Sequence, residues 1–290
     1  MAENHNKFAE AMMESGVQLA TVDMCDVSSS SNINAARWGS IRHKLRKAAA
    51  EFIGTAILLT FGFGATTQLV LTDSSSWGTM VAVWGTALTV AIYAVGGVSG
   101  AHLNPAVSLT MCVFRGFSYT DLPFYWVAQT CGAFMAALIV YFFNEPAIYA
   151  ARLEDPSHAI GIFVTSRAAG VTVPVAFFVE FLATAILLFS VLATSEGRGI
   201  TPTDPRFQPV ALGITLTAIG LGLGQQTGFA LNPARDLGPR IFVAIAGWGT
   251  EAFSRQGYYF WLPIVAPFCG AFAGAFAHDL LANPQDKSSL

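Results

Sequence analysis

Two copies of the tripeptide Asn-Pro-Ala, Asn104-Pro105-Ala106 and Asn232-Pro233-Ala234, constrain this chain more than any other feature. Each copy follows an apolar stretch that contains Glu-Phe, at Glu51 in the first half and at Glu180 in the second. The distance from the Glu to the tripeptide is nearly the same in both halves. A single Asn-Pro is common wherever a turn leads into a helix. Two copies at matching positions of an internal repeat predict a structure built from two related halves.

The composition indicates a chain that lies mostly inside a membrane. Of its 290 residues, 53% are hydrophobic and 11% are charged, whereas soluble domains carry about 25% charged residues. The charges cluster between the apolar stretches and barely enter them, which is the pattern of a polytopic membrane protein. No basic patch is large enough for nucleic acid, so we expect membrane lipid and no nucleic acid as a partner.

The cysteines have neither metal-like nor disulfide-like spacing, and we expect them to serve as small hydrophobic side chains. They are Cys25, Cys112, Cys131 and Cys269. No nucleophile–base pair, phosphate-binding loop or cluster of metal ligands stands out in the sequence. We therefore predict no enzymatic activity, no cofactor and no metal site.

Six stretches are long and apolar enough to cross a bilayer, which takes about 20 residues of helix. They lie at about 48–71, 79–98, 123–144, 172–194, 208–226 and 258–282. Two shorter apolar pieces begin at the Asn-Pro-Ala motifs and end near 114 and 245. The sequence thus predicts an all-α membrane protein with six transmembrane helices and two re-entrant half-helices.

Positive charges set the expected orientation. A basic cluster from Arg42 to Lys47 stands directly before the first span, and Lys and Arg accumulate on the cytoplasmic side. We therefore expect both termini to be cytoplasmic. The expected units are a polar, disordered tail over 1–46, a channel domain over 47–284 and a short terminus over 285–290. Within the channel domain the repeats cover about 47–145 and about 172–284, joined by a long external connection over 145–171.

Each repeat contains three spans, and an odd number of crossings inserts the second repeat upside down relative to the first. Inverted repeats place their functional site near the midplane, where interrupted helices meet. Asn is a favoured N-cap and Pro a favoured first residue of a helix, so each Asn-Pro-Ala starts a helix inside the membrane. Non-helical backbone at that depth is tolerated only where it is buried in protein or lines a wet cavity.

The meeting point of these half-helices predicts a pore that rejects cations. Each helix amino terminus contributes about half a positive charge, so a cation or proton meets a barrier there. The side-chain amides of Asn104 and Asn232 supply donors for a passing hydroxyl. The segments before them, residues 100–103 and 228–231, are expected to run extended and to offer carbonyl acceptors along the lumen.

At these residues the sequence resembles the aquaporin, or major intrinsic protein, family. The matching pieces are residues 99–107 and the run from Asn232 to Pro239, and the resemblance covers about residues 46–284. It implies an inverted-repeat channel fold and a homotetramer with one pore per chain. It also implies a selectivity filter made by Trp84, Gly220, Phe229 and Arg235.

That filter is similar to the one in the glycerol-conducting branch of the family. Trp84 and Gly220 stand where water channels carry Phe and His, so the opening is expected to be wider and to have an apolar corner. Arg235 donates to hydroxyl groups from the opposite side. Asp236 and Arg240 also resemble the glycerol branch, as does Pro263-Ile264 in the last span. One position departs, because a third-span Tyr of that branch corresponds to Phe143 or Asn144.

Carboxylates inside a membrane span are functional candidates by default. Glu51 and Glu180 could form a proton relay, but their matched positions favour a structural role, in which they accept hydrogen bonds from the re-entrant loops. His102 either shapes the lumen or bonds to its own loop.

The sequence therefore predicts a passive channel for glycerol and other small neutral solutes, with some water, that excludes ions and protons. The expected location is the plasma membrane. Two alternatives remain at this point: a water-selective channel of the same family, and a secondary transporter coupled to protons or sodium, whose inverted repeats would look alike.

Overall fold

The computed structural model describes residues 24–195 and 204–281, with side chains from residue 41 onward. Every regular element in these ranges is helical. The helices are α1 Met24–Leu71, α2 Trp77–Ser99, α3 Pro105–Arg115, α4 Leu122–Glu154, α5 Pro156–Ile160, α6 Val173–Ser195, α7 Gln208–Leu223, α8 Pro233–Val243, α9 Glu251–Tyr258 and α10 Leu262–Leu281. Short 3-10 turns flank α7 and precede α10, and a π turn follows α8.

Six helical segments of the described ranges are long and apolar enough to cross a membrane. They correspond one by one to the six predicted spans, and α3 and α8 are the two half-helices. The chain divides into two compact units, Met1–His43 and Lys44–Leu290. In the first unit the described residues, 24–43, are helical. In the second lie all the remaining elements and the candidate pore.

The amino-terminal part of α1 differs from the sequence prediction. The helix begins at Met24, so residues 24–46 of the expected disordered tail are helical. This segment contains no proline and one glycine, Gly39, so the helix continues through it into the first span despite its Ser and Asn residues. The rest of the predicted tail, 1–23, and the predicted terminus 285–290 lie outside the described residues.

The external connection also differs from the prediction, because α4 continues to Glu154. A kink marks the predicted end of the span: Asn144 has non-helical angles, and Pro146 follows inside the helix. Pro146 cannot donate the helical hydrogen bond to the Phe142 carbonyl, and one turn earlier the Asn144 side chain donates to the Val140 carbonyl at 2.9 Å. Phe143 points outward, with 73% of its surface exposed.

The two halves meet where α2 crosses α7. A Cβ atom on Gly85 would lie 2.5 Å from the Gly213 carbonyl oxygen, and one on Gly213 would lie 2.6 Å from the Gly85 oxygen. Only glycine permits this approach on both sides, which is how small residues bring membrane helices together. The reciprocal contact lies at the interface between the first and second repeat.

A second pair of glycines repeats one contact in each half. In the first half a Cβ on Gly132 of α4 would lie 2.5 Å from the Phe52 carbonyl oxygen of α1. In the second half a Cβ on Gly270 of α10 would lie 2.1 Å from the Phe181 oxygen of α6. The same helix pairs, first with third span, are therefore packed in the same way, as the inverted repeat predicts.

Candidate pore and selectivity filter

Two strained loops lead into the half-helices α3 and α8. Positive φ angles occur at matching positions in both: Gly100, Ala101 and Leu103 in the first loop, and Gly228, Phe229 and Leu231 in the second. Four of these residues carry side chains, for which a positive φ is unfavourable. Backbone strain of this kind persists only where the surroundings hold it in place. The loops therefore need external support.

Glu51 supports the first loop from the middle of α1. Its carboxylate accepts hydrogen bonds from the backbone N–H groups of His102 and Leu103, at 2.9 and 2.7 Å. The Gln129 side chain of α4 donates to the same carboxylate at 2.8 Å. The Glu51 side chain is fully buried, and each of its oxygens is used by the loop.

Glu180 supports the second loop in the same way from α6. The N–H groups of Ala230 and Leu231 donate to its two oxygens, both at 2.9 Å. Glu180 is also fully buried. In lipid an unsatisfied backbone N–H costs several kcal/mol, so these bonds explain why a carboxylate occurs at matching positions in the two spans.

The two loops are also bonded to each other. The Asn104 side-chain nitrogen donates to the Leu231 carbonyl at 2.8 Å, and the Asn232 nitrogen donates to the Leu103 carbonyl at 2.7 Å. This crosswise pair joins the ends of α3 and α8 at one point. The half-helices therefore meet end to end, as the sequence predicts.

Each Asn side chain is fixed by its cap as well. The Asn104 side-chain oxygen accepts from the Ala106 N–H at 2.9 Å, and the Asn232 oxygen accepts from the Ala234 N–H at 3.0 Å. The oxygens therefore face their helices, and the nitrogens face the junction. An amide nitrogen carries two hydrogens, so one donor on each Asn remains for a passing solute.

A cavity of about 300 Å³ runs along the junction. Its lining combines apolar side chains from five helices with both loops and both Asn residues. The lining residues are Leu58, Leu59, Trp84, Leu88, Ile92, Gly100, Ala101, His102, Leu103, Asn104, Val107, Met111, Leu187, Val191, Ser195, Gln208, Leu212, Leu216, Phe229, Ala230, Leu231, Asn232 and Arg235. One wall is thus apolar, and the wall formed by the loops carries the polar groups.

Three of the predicted filter residues lie together at this cavity. The Arg235 guanidinium carbon lies 4.7 Å from the centre of the Trp84 ring. The Trp84 and Phe229 rings meet edge to face, 6.1 Å between centres. Arg235 donates to the Phe163 carbonyl at 3.0 Å, which holds the guanidinium on one side of the opening. The result is a cation facing two aromatic rings.

Gly220, the fourth predicted filter residue, lies directly beside Phe229. It is not among the cavity-lining residues; a Cβ there would lie 2.6 Å from the Val81 side chain and 3.4 Å from the Phe229 ring. The glycine lets α7 approach α2 directly behind Phe229. The missing side chain at Gly220 leaves the room that the Val81 side chain and the Phe229 ring occupy, so this glycine bears on the opening through the position of Phe229.

His102 lines the cavity, and neighbouring side chains fix the position of its ring. Its Nδ1 is 3.1 Å from the Ser108 hydroxyl oxygen, and its ring packs at 5.1 Å from the ring of Tyr125. Tyr125 in turn donates to the Ser99 carbonyl at 2.8 Å. Both roles that the sequence left open, lumen shaping and loop bonding, are compatible with this position.

Asp236 and Arg240 form a buried ion pair on one face of α8, one turn apart. The carboxylate also accepts from the Thr165 N–H and hydroxyl, at 2.9 and 2.6 Å. Arg240 completes the network by donating to the carbonyls of Thr165 and Ala252, at 2.8 and 2.6 Å. These bonds attach the connection after α5 to the second half-helix. They also place the Phe163 carbonyl where Arg235 can reach it.

Comparison with known proteins decides the family. The family model for the major intrinsic proteins matches residues 38–278. The chain belongs to the major intrinsic protein family. Its members are membrane channels, and the six apolar helices agree with an integral membrane protein.

Several relatives align with most of this major intrinsic protein. The aquaglyceroporin-2 of Rhizophagus irregularis is 41% identical over 260 residues, which cover 87% of this chain and 82% of the relative. The probable aquaglyceroporin-2 of Gibberella zeae is 39% identical over 84% of this chain and 74% of its own. The X-ray structure of the aquaglyceroporin from Plasmodium falciparum is 32% identical, covers 85% of this chain and all of its own, and has a TM-score of 0.77.

Two contributors to the site of this major intrinsic protein were missed by the sequence reasoning. Phe63 of α1 packs against the Trp84 ring at 5.8 Å and lies 5.2 Å from the Arg235 guanidinium carbon. Phe163 supplies the carbonyl that holds Arg235. A signal for Phe163 was present, because the run from Ala159 to Val164 is apolar within an otherwise polar connection, which indicates burial.

Cys112, Cys131 and Cys269 are not among the cavity-lining residues. Cys112 is buried, whereas Cys131 and Cys269 are exposed on the outer face of the helices. Cys25 lies where side chains are not described. Within residues 24–195 and 204–281, no group of three His, Cys, Asp or Glu side chains is placed to bind a metal ion.

Proposed function

We propose that this chain is a passive channel for glycerol and other small neutral solutes, with some water, and that it excludes ions and protons. The observation that carries the proposal is the arrangement of the Arg235 guanidinium opposite the Trp84 and Phe229 rings at the cavity. The printed names of two fungal relatives and of the Plasmodium falciparum structure, all aquaglyceroporins, support it.

This arrangement suits a polyol because a polyol has two unlike sides. Its carbon chain packs against the two aromatic faces, and its hydroxyl groups accept hydrogen bonds from the guanidinium, which has no acceptor of its own. Further along, the free amide hydrogens of Asn104 and Asn232 supply donors. In the described chain, no donor reaches the carbonyls of Ala101 and Phe229, so they remain available as acceptors for the hydroxyl hydrogens.

Two sources of positive potential oppose cations. The amino termini of α3 and α8 meet at the Asn pair, and each contributes about half a positive charge. Arg235 adds a full charge, and only 7% of its surface is exposed. A neutral solute crosses both points without an electrostatic penalty.

The proposal is tested with two solutes of similar size that differ in charge. Liposomes containing the purified protein are given radiolabelled glycerol or radiolabelled ethanolamine, which is a cation of similar size at neutral or acidic pH, and uptake is followed against protein-free liposomes. We expect rapid glycerol uptake, and ethanolamine uptake no faster than in the protein-free control. Equal entry of both solutes would overturn the charge filter, and entry of neither would overturn the glycerol channel.

The rival functions fit the site less well. A water-selective pore needs a narrow, polar opening, whereas Trp84 and Phe229 make one side of this opening apolar. A proton-coupled transporter needs a carboxylate that is free to exchange protons with the lumen. The Glu51 and Glu180 oxygens instead each accept a loop N–H.

The assembly and location are part of the proposal. We expect a homotetramer with one pore per chain in the plasma membrane, with lipid against the outer apolar side chains and both termini in the cytoplasm. Exposed aromatic and aliphatic residues such as Phe142, Ile245 and Leu280 support contact with lipid or with other chains. Mass measurement in detergent tests the tetramer, and protease access to a tag at either end, in sealed cells, tests the orientation.

A further inference from the structure

Two glycines that do not line the cavity pack against the aromatic residues of the filter. Gly62 of α1 lies behind Trp84, and Gly224, in the 3-10 turn after α7, lies behind Phe229. Both glycines are buried, and neither is among the cavity-lining residues. Backbone conformation does not account for glycine at these two positions, because neither residue has a positive φ. The lack of room for a side chain does account for it.

Gly62 is in direct contact with the Trp84 ring. A Cβ atom at this position would lie 2.5 Å from two ring atoms of Trp84 and 2.6 Å from a third. These distances are too short for carbon atoms, so an added methyl group displaces the ring. Phe63 packs against the ring edge to face, and the indole N–H donates to the Thr66 hydroxyl at 3.3 Å. Three residues of α1, Gly62, Phe63 and Thr66, thus contact the ring.

Gly224 has the same relation to Phe229. A Cβ atom there would lie 2.6 Å from the Phe229 ring and 3.0 Å from the ring of Trp77. Trp77 is anchored, because its indole N–H donates to the Gly220 carbonyl at 3.2 Å. A methyl group wedged between the two rings therefore moves Phe229 more easily than Trp77.

Only one direction is open to the displaced rings. Trp84 and Phe229 are 4% and 5% exposed, so protein packs around most of each ring. The remaining side is the cavity. A methyl group added behind either ring therefore pushes the ring into the opening and narrows it.

We propose that Gly62 and Gly224 are positioning residues that set the width of the filter and thereby the ratio of glycerol to water passage. The proposal rests on the proposed glycerol channel. Water needs less width than a three-carbon polyol, so a narrowed opening removes glycerol passage first. An apolar site discriminates by about tenfold or more between two molecules whose fit differs by one methylene group.

The chain supplies a matched control for each glycine. Gly64 lies on the same helix as Gly62, and Gly222 lies just before Gly224 on α7; a Cβ on either has no other atom within 4 Å. The experiment compares Gly62→Ala and Gly224→Ala with Gly64→Ala and Gly222→Ala. Glycerol and water permeabilities of liposomes are measured for each variant and normalised to the amount of folded protein.

For Gly62→Ala and Gly224→Ala we expect glycerol permeability to fall by about tenfold or more while water permeability stays within about twofold. Both controls should retain the original ratio. An unchanged ratio in Gly62→Ala and Gly224→Ala, or a proportional loss of both permeabilities, would overturn the proposal. Absence of glycerol passage in the unsubstituted protein would instead overturn the glycerol channel itself.

A compensating variant separates ring displacement from general damage. Trp84→Phe removes one ring from the side chain that meets Gly62, so Gly62→Ala should change the glycerol-to-water ratio much less in a Trp84→Phe background than in the unsubstituted protein. The double variant is compared with Trp84→Phe alone, because Trp84 itself belongs to the filter. This comparison also decides the question if Gly62→Ala alone does not fold. A folded double variant with a ratio about tenfold or more below that of Trp84→Phe would contradict displacement of the Trp84 ring.

Discussion

Asn104 and Asn232 each donate a hydrogen bond to the backbone carbonyl of the residue before the other. The two distances are 2.8 and 2.7 Å. Because each side-chain oxygen also caps its own helix, both amides are fixed at the point where two positive helix ends meet. The same two side chains thus cap the half-helices, join the two halves and supply the donors of the pore.

Asn232→Asp should make the channel leak cations. The change keeps the cap acceptor, removes the donor to Leu103 and adds a negative charge where positive helix ends oppose cations. We expect proton leak to rise by at least about tenfold, since charges a few Å apart interact by about 1–4 kcal/mol near a wet surface. A pH-sensitive dye inside liposomes measures it. Asn232→Ser, which caps without charge, is the control; equal leak in both variants would contradict the electrostatic explanation.

Arg235→Ala should weaken rejection of charged solutes, because it removes the fixed cation from the filter. Passage of cations, ethanolamine included, should rise by about tenfold or more. Arg235→Lys keeps the charge but loses the planar donor geometry, so it should stay closed to cations while glycerol passage falls. The radiolabelled uptake assay measures both. A folded Arg235→Ala protein that rejects cations as before would show that a group other than Arg235 rejects them.

Asp236→Asn should destabilise the fold more than it alters selectivity. Removing one partner of a buried pair leaves Arg240 uncompensated and costs about 3–5 kcal/mol. Thermal unfolding in detergent measures the loss. Replacing both partners, Asp236→Leu with Arg240→Met, should recover part of it, because residue 240 then carries no charge without a partner, while the Thr165 groups still lose their hydrogen bonds. A double variant less stable than Asp236→Asn would contradict this interpretation.

Glu51→Gln and Glu180→Gln should lower stability by about 1–3 kcal/mol each, because one of the two acceptors for loop N–H groups becomes a donor. Glycerol flux per folded channel should remain insensitive to a pH gradient in the unsubstituted protein and in both variants. Flux that follows the pH gradient, and loses this dependence in either variant, would indicate a proton relay and a transporter.

Most of the fold is visible in the sequence, because span length and helix caps are local properties. The six spans and both half-helices follow from apolar runs and from Asn-Pro. The end of α4 was placed too early, because an apolar run does not distinguish a helix that ends from one that kinks at Asn144 and Pro146 and continues. The start of α1 was placed too late, because the polarity of residues 24–46 was taken to exclude helix.

The filter is less completely predictable, since it depends on which side of a helix faces the lumen. Trp84, Gly220, Phe229 and Arg235 were assigned to the filter through the family resemblance, and the first, third and fourth of them lie together at the cavity. The contact of Gly220 with Val81 and Phe229 depends on the crossing of two helices and is not given by the resemblance. Phe163 reaches the site from a distant connection through the bonds of Thr165 to Asp236, which no local pattern encodes.

The most direct test is stopped-flow light scattering of liposomes that contain the purified protein, mixed with a hyperosmotic glycerol solution. Water leaves first and the liposomes shrink; glycerol entry then swells them again. We predict reswelling much faster than in protein-free liposomes and at the same rate with or without a pH gradient. Rapid shrinkage without faster reswelling would mean a water channel and would contradict the glycerol filter.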